Sequence, residues 1–303
     1  MNAPQLSVII PTYNRGYCIA KAIHSALEQS LTDFEIVISD DGSTDDTADV
    51  VRALDSPRVR LVRKNNGGCS SARNFGIANV STEYVAFLDS DDTWDRDWLR
   101  VALDIMQRDA TIGAVYGSLE LVRSSGATYG KMDLTGGGAH SIASVPYVIE
   151  HCAGLLGSNV VARRTVVESV GRWDESFKTS GDLDFGLRLA VATRVALVAG
   201  PMIKLVETQG SLSKNVNTGN RLRVLDKFES QHPDLARQHA ALIRRSRARI
   251  LRSYGEDLLW FGRTAEARAQ LRASLRQRLS PGTLWMLLKA SLPRPRRAAV
   301  SSH

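Results

Sequence analysis

Four short polar clusters in this chain combine residue types that can do chemistry. The sharpest is Asp89-Ser90-Asp91-Asp92, which follows the apolar run YVAFL directly. If extended backbone continues past that run, alternation puts Asp89 and Asp91 on one side. Paired carboxylates there are hard oxygen ligands suited to Mg²⁺ or Mn²⁺. Such an ion can bridge a diphosphate and offset negative charge on a departing nucleoside diphosphate. The plainer reading is an acidic turn, with Asp92 or Thr93 capping the next helix. A second cluster, Ser39-Asp40-Asp41-Gly42-Ser43, offers carboxylates with no evident core role. They can accept hydrogen bonds from a base N–H and a ribose hydroxyl, whereas Asp45 and Asp46 suit a helix N-terminus. In the third, Ser70-Ser71-Ala72-Arg73-Asn74, Arg73 falls on a first helical turn, which disfavours a cation unless an anion lies near. A diphosphate, Asp89 or Asp91 would serve; the alternative is a surface arginine. The fourth, Ser180-Gly181-Asp182-Leu183-Asp184, leads into a helix. One carboxylate can cap that helix and leave the other as a general base for a hydroxyl.

The elements that would position these clusters alternate. Leu6–Ile10, Phe34–Ile38, Val59–Val62 and Tyr84–Leu88 are short apolar runs that predict strands. Between and after them, Ile19–Leu27, Thr44–Leu54 (capped by Ser43 with Asp46 three residues on), Ser70–Asn79 and Arg96–Gln107 carry helical spacing. Strand–helix alternation over about a hundred residues predicts a mainly parallel sheet with helices on both faces. Ligands in that architecture sit beyond the carboxyl ends of the strands, where the polar clusters fall. Further on, Gly126–His140 predicts a loop or hairpin, and Val145–Ala153 a strand or short helix. Phe185–Ala192 predicts a helix, with Trp173 and Phe177 before it as core or as a sugar platform. Beyond Arg221 the pattern is helical, in segments Asp234–Leu251, Glu256–Leu279 and Thr283–Leu292, with a frayed end at 293–303.

Composition narrows the classes. The 303 residues are 43% hydrophobic, enough for a real core. The start lacks a signal-peptide pattern, and no apolar run reaches the roughly 18 residues of a membrane span. Three cysteines, Cys18, Cys69 and Cys152, have neither disulfide-scaffold nor thiolate-metal spacing and fit a reducing compartment. His140, His151 and the other histidines show no ligand spacing. The net charge of +7 is uneven: residues from Ala240 onward hold 14 Lys or Arg against 3 Asp or Glu. Such a tail suits anionic phospholipid, with Trp260, Phe261, Trp285, Met286, Leu287 and Leu288 as apolar anchors. Arginine richness alone supplies no nucleic-acid readout, so no nucleic-acid partner is expected.

The segments SVIIPTYNR (7–15), FEIVISDDGSTDDT (34–47), NNGGCSSARNFGI (65–77) and FLDSDDTW (87–94) resemble the hallmark series of family 2 glycosyltransferases. GRWDESF (171–177) and GDLDFGLRLA (181–190) are similar to that family's acceptor-side region, so the likeness covers about residues 5–213. It implies an α/β GT-A fold and a nucleotide-sugar donor, with UDP-sugars favoured. It also implies an inverting, Mg²⁺- or Mn²⁺-dependent transfer to a saccharide or lipid-linked acceptor, as in bacterial polysaccharide synthesis. By this likeness Pro11, Thr12 and Tyr13 flank the base, Asp41 reads a uracil-like edge and Arg73 approaches the donor. Asp89 and Ser90 approach the ribose and metal, Asp91 is the principal metal ligand, and Asp182 is the catalytic base. The chain departs from the family at Gly181, where a glutamate is usual, and at Thr208 and Gln209, which leaves Lys214 as a candidate phosphate contact. The expected organisation is a catalytic domain over 1–215 and a basic helical appendage over 216–303. Residues 1–110 would bind the nucleotide-sugar and 111–215 the acceptor. The expected place is the cytoplasm, peripherally on the inner membrane face. Rival readings are a sugar nucleotidyltransferase, whose glycine-rich lysine signature is missing near the first strand, and a non-catalytic sugar- or membrane-binding module. A Rossmann oxidoreductase is disfavoured by the absence of Gly-x-Gly-x-x-Gly after Leu6–Ile10.

Overall fold

A computed structural model describes residues 4–151, 155–207 and 218–291. The chain divides into two compact units, Met1–Lys214 and Asn215–His303. The first begins with β1 (Leu6–Thr12), α1 (Ile19–Leu27), β2 (Phe34–Asp40), α2 (Thr47–Ala53), β3 (Val59–Arg63), α3 (Cys69–Ala78) and β4 (Tyr84–Phe87). All seven residues of β1 are buried, which is why Val8–Pro11 runs apolar without alternating, and the one polar side chain ahead of that run, Ser7, is bonded to Glu35 and Thr82. Val8 and Ile10 join Ile19, Ile23 and Ala26 of α1 in one core, while α3 packs on β1 and β2. Each valine or isoleucine side chain among them contributes about 1.5–3 kcal/mol on full burial.

The unit continues with β5 (Thr93–Trp94), α4 (Trp98–Arg108), β6 (Ile112–Val122), β7 (Thr128–Met132), β8 (His140–Ala143) and α5 (Val145–His151). It closes with β9 (Val160–Arg163), α6 (Arg164–Ser169), α7 (Gly181–Ala192) and β10 (Arg194–Val206). One ten-stranded sheet runs β3-β2-β1-β4-β9-β6-β10-β5, with β7 on β6 and β8 on β10. Its first four strands are parallel, as the alternation predicts. Beyond β4 the sheet is mixed: β9 is antiparallel to both β4 and β6, and β10 is parallel to β6. The chain steps from β1 outward through β2 to β3, then returns to place β4 on the other side of β1. That reversal opens a crevice at the carboxyl ends of β1 and β4.

Several boundaries differ from expectation for identifiable reasons. Helix α2 starts at Thr47, because Ser43 is engaged elsewhere: its hydroxyl donates to Asp40 Oδ1 at 2.5 Å and accepts the Asn14 N–H at 2.9 Å. Gly42, at φ +83°, makes the exit from β2 that this arrangement needs. Helix α7 starts at Gly181, four residues early, behind Ser180 in the left-handed region. Gly126–His140 holds the β6–β7 hairpin and the approach to β8, and Val145–His151 is helical.

The second unit contains α8 (Thr218–Gln231), α9 (Pro233–Gln238), α10 (Ala240–Trp260), α11 (Thr264–Gln277) and α12 (Pro281–Ser291). Helix α10 runs unbroken through the gap expected after Leu251, since Leu251, Gly255 and Leu258 continue one buried stripe. It packs on α11, where the Ser274 hydroxyl donates to the Ala248 carbonyl at 2.7 Å. No helix among the described residues is long and apolar enough to cross a membrane. The frayed end expected at 293–303 lies outside the described residues.

Candidate active site

The β1–β4 crevice gathers residues from five separate stretches. At the end of β1, Thr12 is buried with its hydroxyl unpartnered, and Tyr13 is 45% exposed. Pro11, buried one residue earlier, ends the hydrophobic part of the strand. Asp40 and Asp41, expected to lack a core role, are both buried and bonded. Asp40 Oδ1 accepts the Ser43 N–H at 2.9 Å. Asp41 fastens the following loop: Oδ1 accepts from Lys64 Nζ and the Gly67 N–H, each at 2.9 Å, and Oδ2 from the Gly68 N–H at 2.7 Å. Beside it lies an open hollow lined by Gly42, Arg63, Lys64, Asn65 and Asn66.

Past β4, the Asp92 N–H bonds the Asp89 carbonyl at 3.1 Å, closing a turn over 89–92. Extended alternation therefore stops at the strand end, and Asp89 and Asp91 are carried on a turn. Neither Asp92 nor Thr93 caps the next helix, whose N-cap is Asp97. Ser158, which carries no motif, holds this turn. Its hydroxyl accepts the Asp89 N–H at 2.9 Å and donates to Asp92 Oδ2 at 2.5 Å, while the Val206 N–H reaches Asp92 Oδ1 at 3.2 Å. Burial, reinforced by the charges of Asp89 and Asp91, holds the Asp92 carboxyl well above the usual carboxylate range. Asp89 and Asp91 are half-buried; Ser90 between them is buried, and its carbonyl faces Cys18 Sγ at 3.5 Å.

Arg73 is neither on a first turn nor on the surface. It lies in the second turn of α3, only 4% exposed. Its Nη2 reaches Asp89 Oδ1 at 2.6 Å and its Nη1 reaches Asp182 Oδ1 at 3.2 Å, so one guanidinium joins two carboxylates far apart in the chain. The space exists because residue 157 is glycine: a Cβ there would stand 2.1 Å from Arg73 Nη2. The guanidinium rests 4.2 Å from the centroid of the Trp173 ring. Trp173 is 2% exposed and stacks on Phe185 at 4.3 Å, so it is core rather than a sugar platform, and Phe177 is buried as well.

The two carboxylates at the start of α7 separate as expected, but neither caps the helix. Asp184 is buried and ion-paired with Arg188 at 2.6 Å, and Arg188 Nη1 donates to the carbonyls of Val170 and Arg172. Asp182 keeps 31% of its side chain exposed. Burial raises its pKa and Asp89 adds to that, while Arg73 and the Gly157 N–H oppose it. A raised pKa makes a carboxylate a stronger base. Gly181, in place of the usual glutamate, faces Ser70, whose Oγ would lie 3.3 Å from an added Cβ. Thr208, Gln209 and Lys214 lie outside the described residues.

Arg73 thus brings together Asp89 and Asp182, while Asp41 lies in the same crevice with its oxygens bonded to the Gly67–Gly68 loop. Among the described residues no group of three or more His, Cys, Asp or Glu forms a ready cation cage. The acids present still fit one divalent ion, because Mg²⁺ is commonly held by one or two carboxylates, with substrate phosphates and water supplying the rest.

Residues 7–155 match the sequence profile described as Glycosyl transferase family 2, and residues 84–289 match that of Glycosyl transferase family group 2. The chain is 37% identical over 126 residues to a chondroitin synthase of Pasteurella multocida, covering 41% of this chain and 13% of that protein. It is 38% identical over 115 residues to a chondroitin synthase of Escherichia coli, covering 37% of this chain and 17% of that one. The chain therefore spans under a fifth of the length of these relatives. Among solved structures, S. aureus TarS 1–349 in complex with UDP-GlcNAc superposes with a TM-score of 0.63 at 17% identity, covering 88% of each chain. At that identity the likeness is one of fold, a mixed α/β architecture with a large central sheet flanked by helices.

Proposed function

The chain belongs to the family 2 glycosyltransferases, and from that premise we propose that it moves a hexose from a nucleotide-sugar, UDP-linked by preference, to a hydroxyl of a saccharide or lipid-linked acceptor. The observation that carries this reading is the convergence of Asp89, on the donor side, and Asp182, on the acceptor side, around one buried guanidinium. Asp182 would take the proton of the acceptor hydroxyl as its oxygen attacks the sugar C1. The C1–O bond to the diphosphate breaks on the opposite face, so one displacement inverts the anomeric centre. Thr12, Tyr13 and the Asp41-bound loop would hold the nucleoside. Asp91, with Asp89, would hold Mg²⁺ or Mn²⁺, which when bound offsets charge on the leaving diphosphate. The test is a panel of UDP-, GDP- and dTDP-sugars, offered with saccharide and lipid-linked acceptors and followed by product mass. A UDP-sugar should be consumed with release of UDP. Formation of a sugar nucleotide from a nucleoside triphosphate and a sugar phosphate instead would show a nucleotidyltransferase.

The second unit supports a finer reading, peripheral contact with an anionic membrane. Trp260 is 87% exposed, and Phe261, Leu284, Trp285 and Leu288 are at least half exposed, in the region that carries 14 basic residues. Lys289 Nζ sits 4.9 Å from the Trp285 ring centroid, pairing cation and aromatic as at a headgroup layer. The protein is expected to co-sediment with phosphatidylglycerol-containing vesicles at low salt and to release as salt rises. W285S/L288S should weaken that binding about a hundredfold or more, since two large apolar side chains contribute roughly 1.5–3 kcal/mol each. Absence of sedimentation at low salt would remove this reading.

A further inference from the structure

Arg73 is more than a strut. We propose that it is a shared clamp coupling donor binding to release of the base. Its guanidinium holds Asp89 and Asp182 together, and a bound nucleoside diphosphate draws on the same guanidinium and loosens Asp182. This inference rests on the reading of Asp182 as base.

Three features support a clamp that can let go. First, its arms are unequal. The 2.6 Å bond to Asp89 is short even for a charge-assisted bond, whereas the 3.2 Å bond to Asp182 is at the long end. The arm on the base is the one that yields first. Second, Arg73 has donating capacity to spare: its Nε is buried with no hydrogen-bond partner, so a turn of the guanidinium toward a new acceptor costs no bond at that atom. Asp182, for its part, keeps the Gly157 N–H and a solvent-exposed edge when the guanidinium moves. Third, the guanidinium is gripped by its face. Trp173 supports it at 4.2 Å and is itself stacked on Phe185, with Arg188 5.6 Å from the centroid of the Phe185 ring. A π face attracts a cation without fixing the direction of its N–H groups, so the edge can exchange partners while the stack persists. The outcome is ordered chemistry: the base is held while no donor is present and becomes available to the acceptor once the diphosphate has arrived.

Coupling of this kind is reciprocal. If the diphosphate weakens the Arg73–Asp182 contact, removing the charge of Asp182 must strengthen diphosphate binding through Arg73. UDP dissociation constants, measured by calorimetry at fixed Mg²⁺, would be compared for wild type, D182N, R73K and R73K/D182N. D182N is expected to bind UDP roughly fivefold tighter, with uridine affinity unchanged. In the R73K background the same substitution should bring less than about a twofold gain, because an ammonium lacks the planar fork that serves two acceptors. An equal gain in both backgrounds would mean plain charge repulsion between Asp182 and UDP, and no gain in either would mean a passive strut; each overturns the clamp. Failure of wild type to bind UDP would instead sink the donor assignment itself. Thermal melts report folding, and R73Q, whose amide retains part of the hydrogen bonding, replaces R73K if that variant melts below room temperature.

Discussion

Replacing Asp182 with asparagine is expected to lower kcat by about 10²- to 10⁴-fold, the span that a positioned general base supplies. The substitution keeps size and the ability to accept one hydrogen bond from Arg73 or the Gly157 N–H, so the first turn of α7 should survive. What it removes is proton affinity. The acceptor hydroxyl is a weak nucleophile until its proton has somewhere to go, and among the carboxylates of the α7 entrance only Asp182 is open to solvent. Asp184 is sealed in its pair with Arg188. The pH profile gives a second readout. Burial puts the pKa of Asp182 above the ordinary aspartate value. Because the working form is the carboxylate, activity is present above that pKa and is lost as pH falls through it. The acid limb of kcat/KM should therefore lie higher than for an ordinary aspartate and vanish from the residual activity of D182N. A variant that transfers within threefold of wild type, with its acid limb intact, would move the base elsewhere.

How much of this site could be read beforehand depends on how far apart in sequence its partners lie. The crevice was legible because β1, β2 and β4 each pass from apolar to polar within one or two residues, and parallel strands deliver such ends to one edge. The acids themselves were legible as types. Their partners were legible only in part: an anion beside Arg73 was expected, with Asp89 among the candidates, but Asp182 was not. Arg73 looks like a surface or first-turn residue from local spacing, and only tertiary packing through Gly157 and Trp173 buries it beside two carboxylates. Ser158, which pins the 89–92 turn, sits in no motif, and its bonds reach back more than sixty residues. Asp41 invited a purely ligand-binding role because nothing local announces that Gly67 and Gly68 will bring their N–H groups to it. Local rules also lost where tertiary bonds competed: the Ser43 capping box is a sound local pattern, yet Asn14 and Asp40 claim the hydroxyl and α2 begins later. The antiparallel β9 between β4 and β6 follows from pairing across the chain, and strand periodicity carries no sign of direction.

The other large effect is expected at Asp91. D91N should lower kcat about 10²- to 10³-fold at saturating donor, the size of several kcal/mol of charge stabilisation lost from the leaving diphosphate. It should also raise the Mg²⁺ or Mn²⁺ concentration needed for half-maximal activity. By the family likeness Asp91 is the metal ligand, and the three acids of the turn differ in their surroundings. Asp92 is buried and spends one oxygen on Ser158 and the other on the Val206 N–H, which makes it a poor cation ligand. Asp89 already spends one oxygen on Arg73. Asp91 lies half-buried at the crevice, close enough to Tyr17 and Cys18 for its charge to help raise the pKa of both. D92N is the control that separates a ligand from a turn. The asparagine oxygen can accept the Val206 N–H and its NH₂ can donate to the Ser158 hydroxyl, so this variant should keep the turn and lose far less activity than D91N. If D91N transferred sugar at the wild-type rate with an unchanged dependence on divalent ion, the cation would be held by other groups or play no part in the reaction. If D92N were as inactive as D91N while melting much lower, the defect would belong to the fold of the turn.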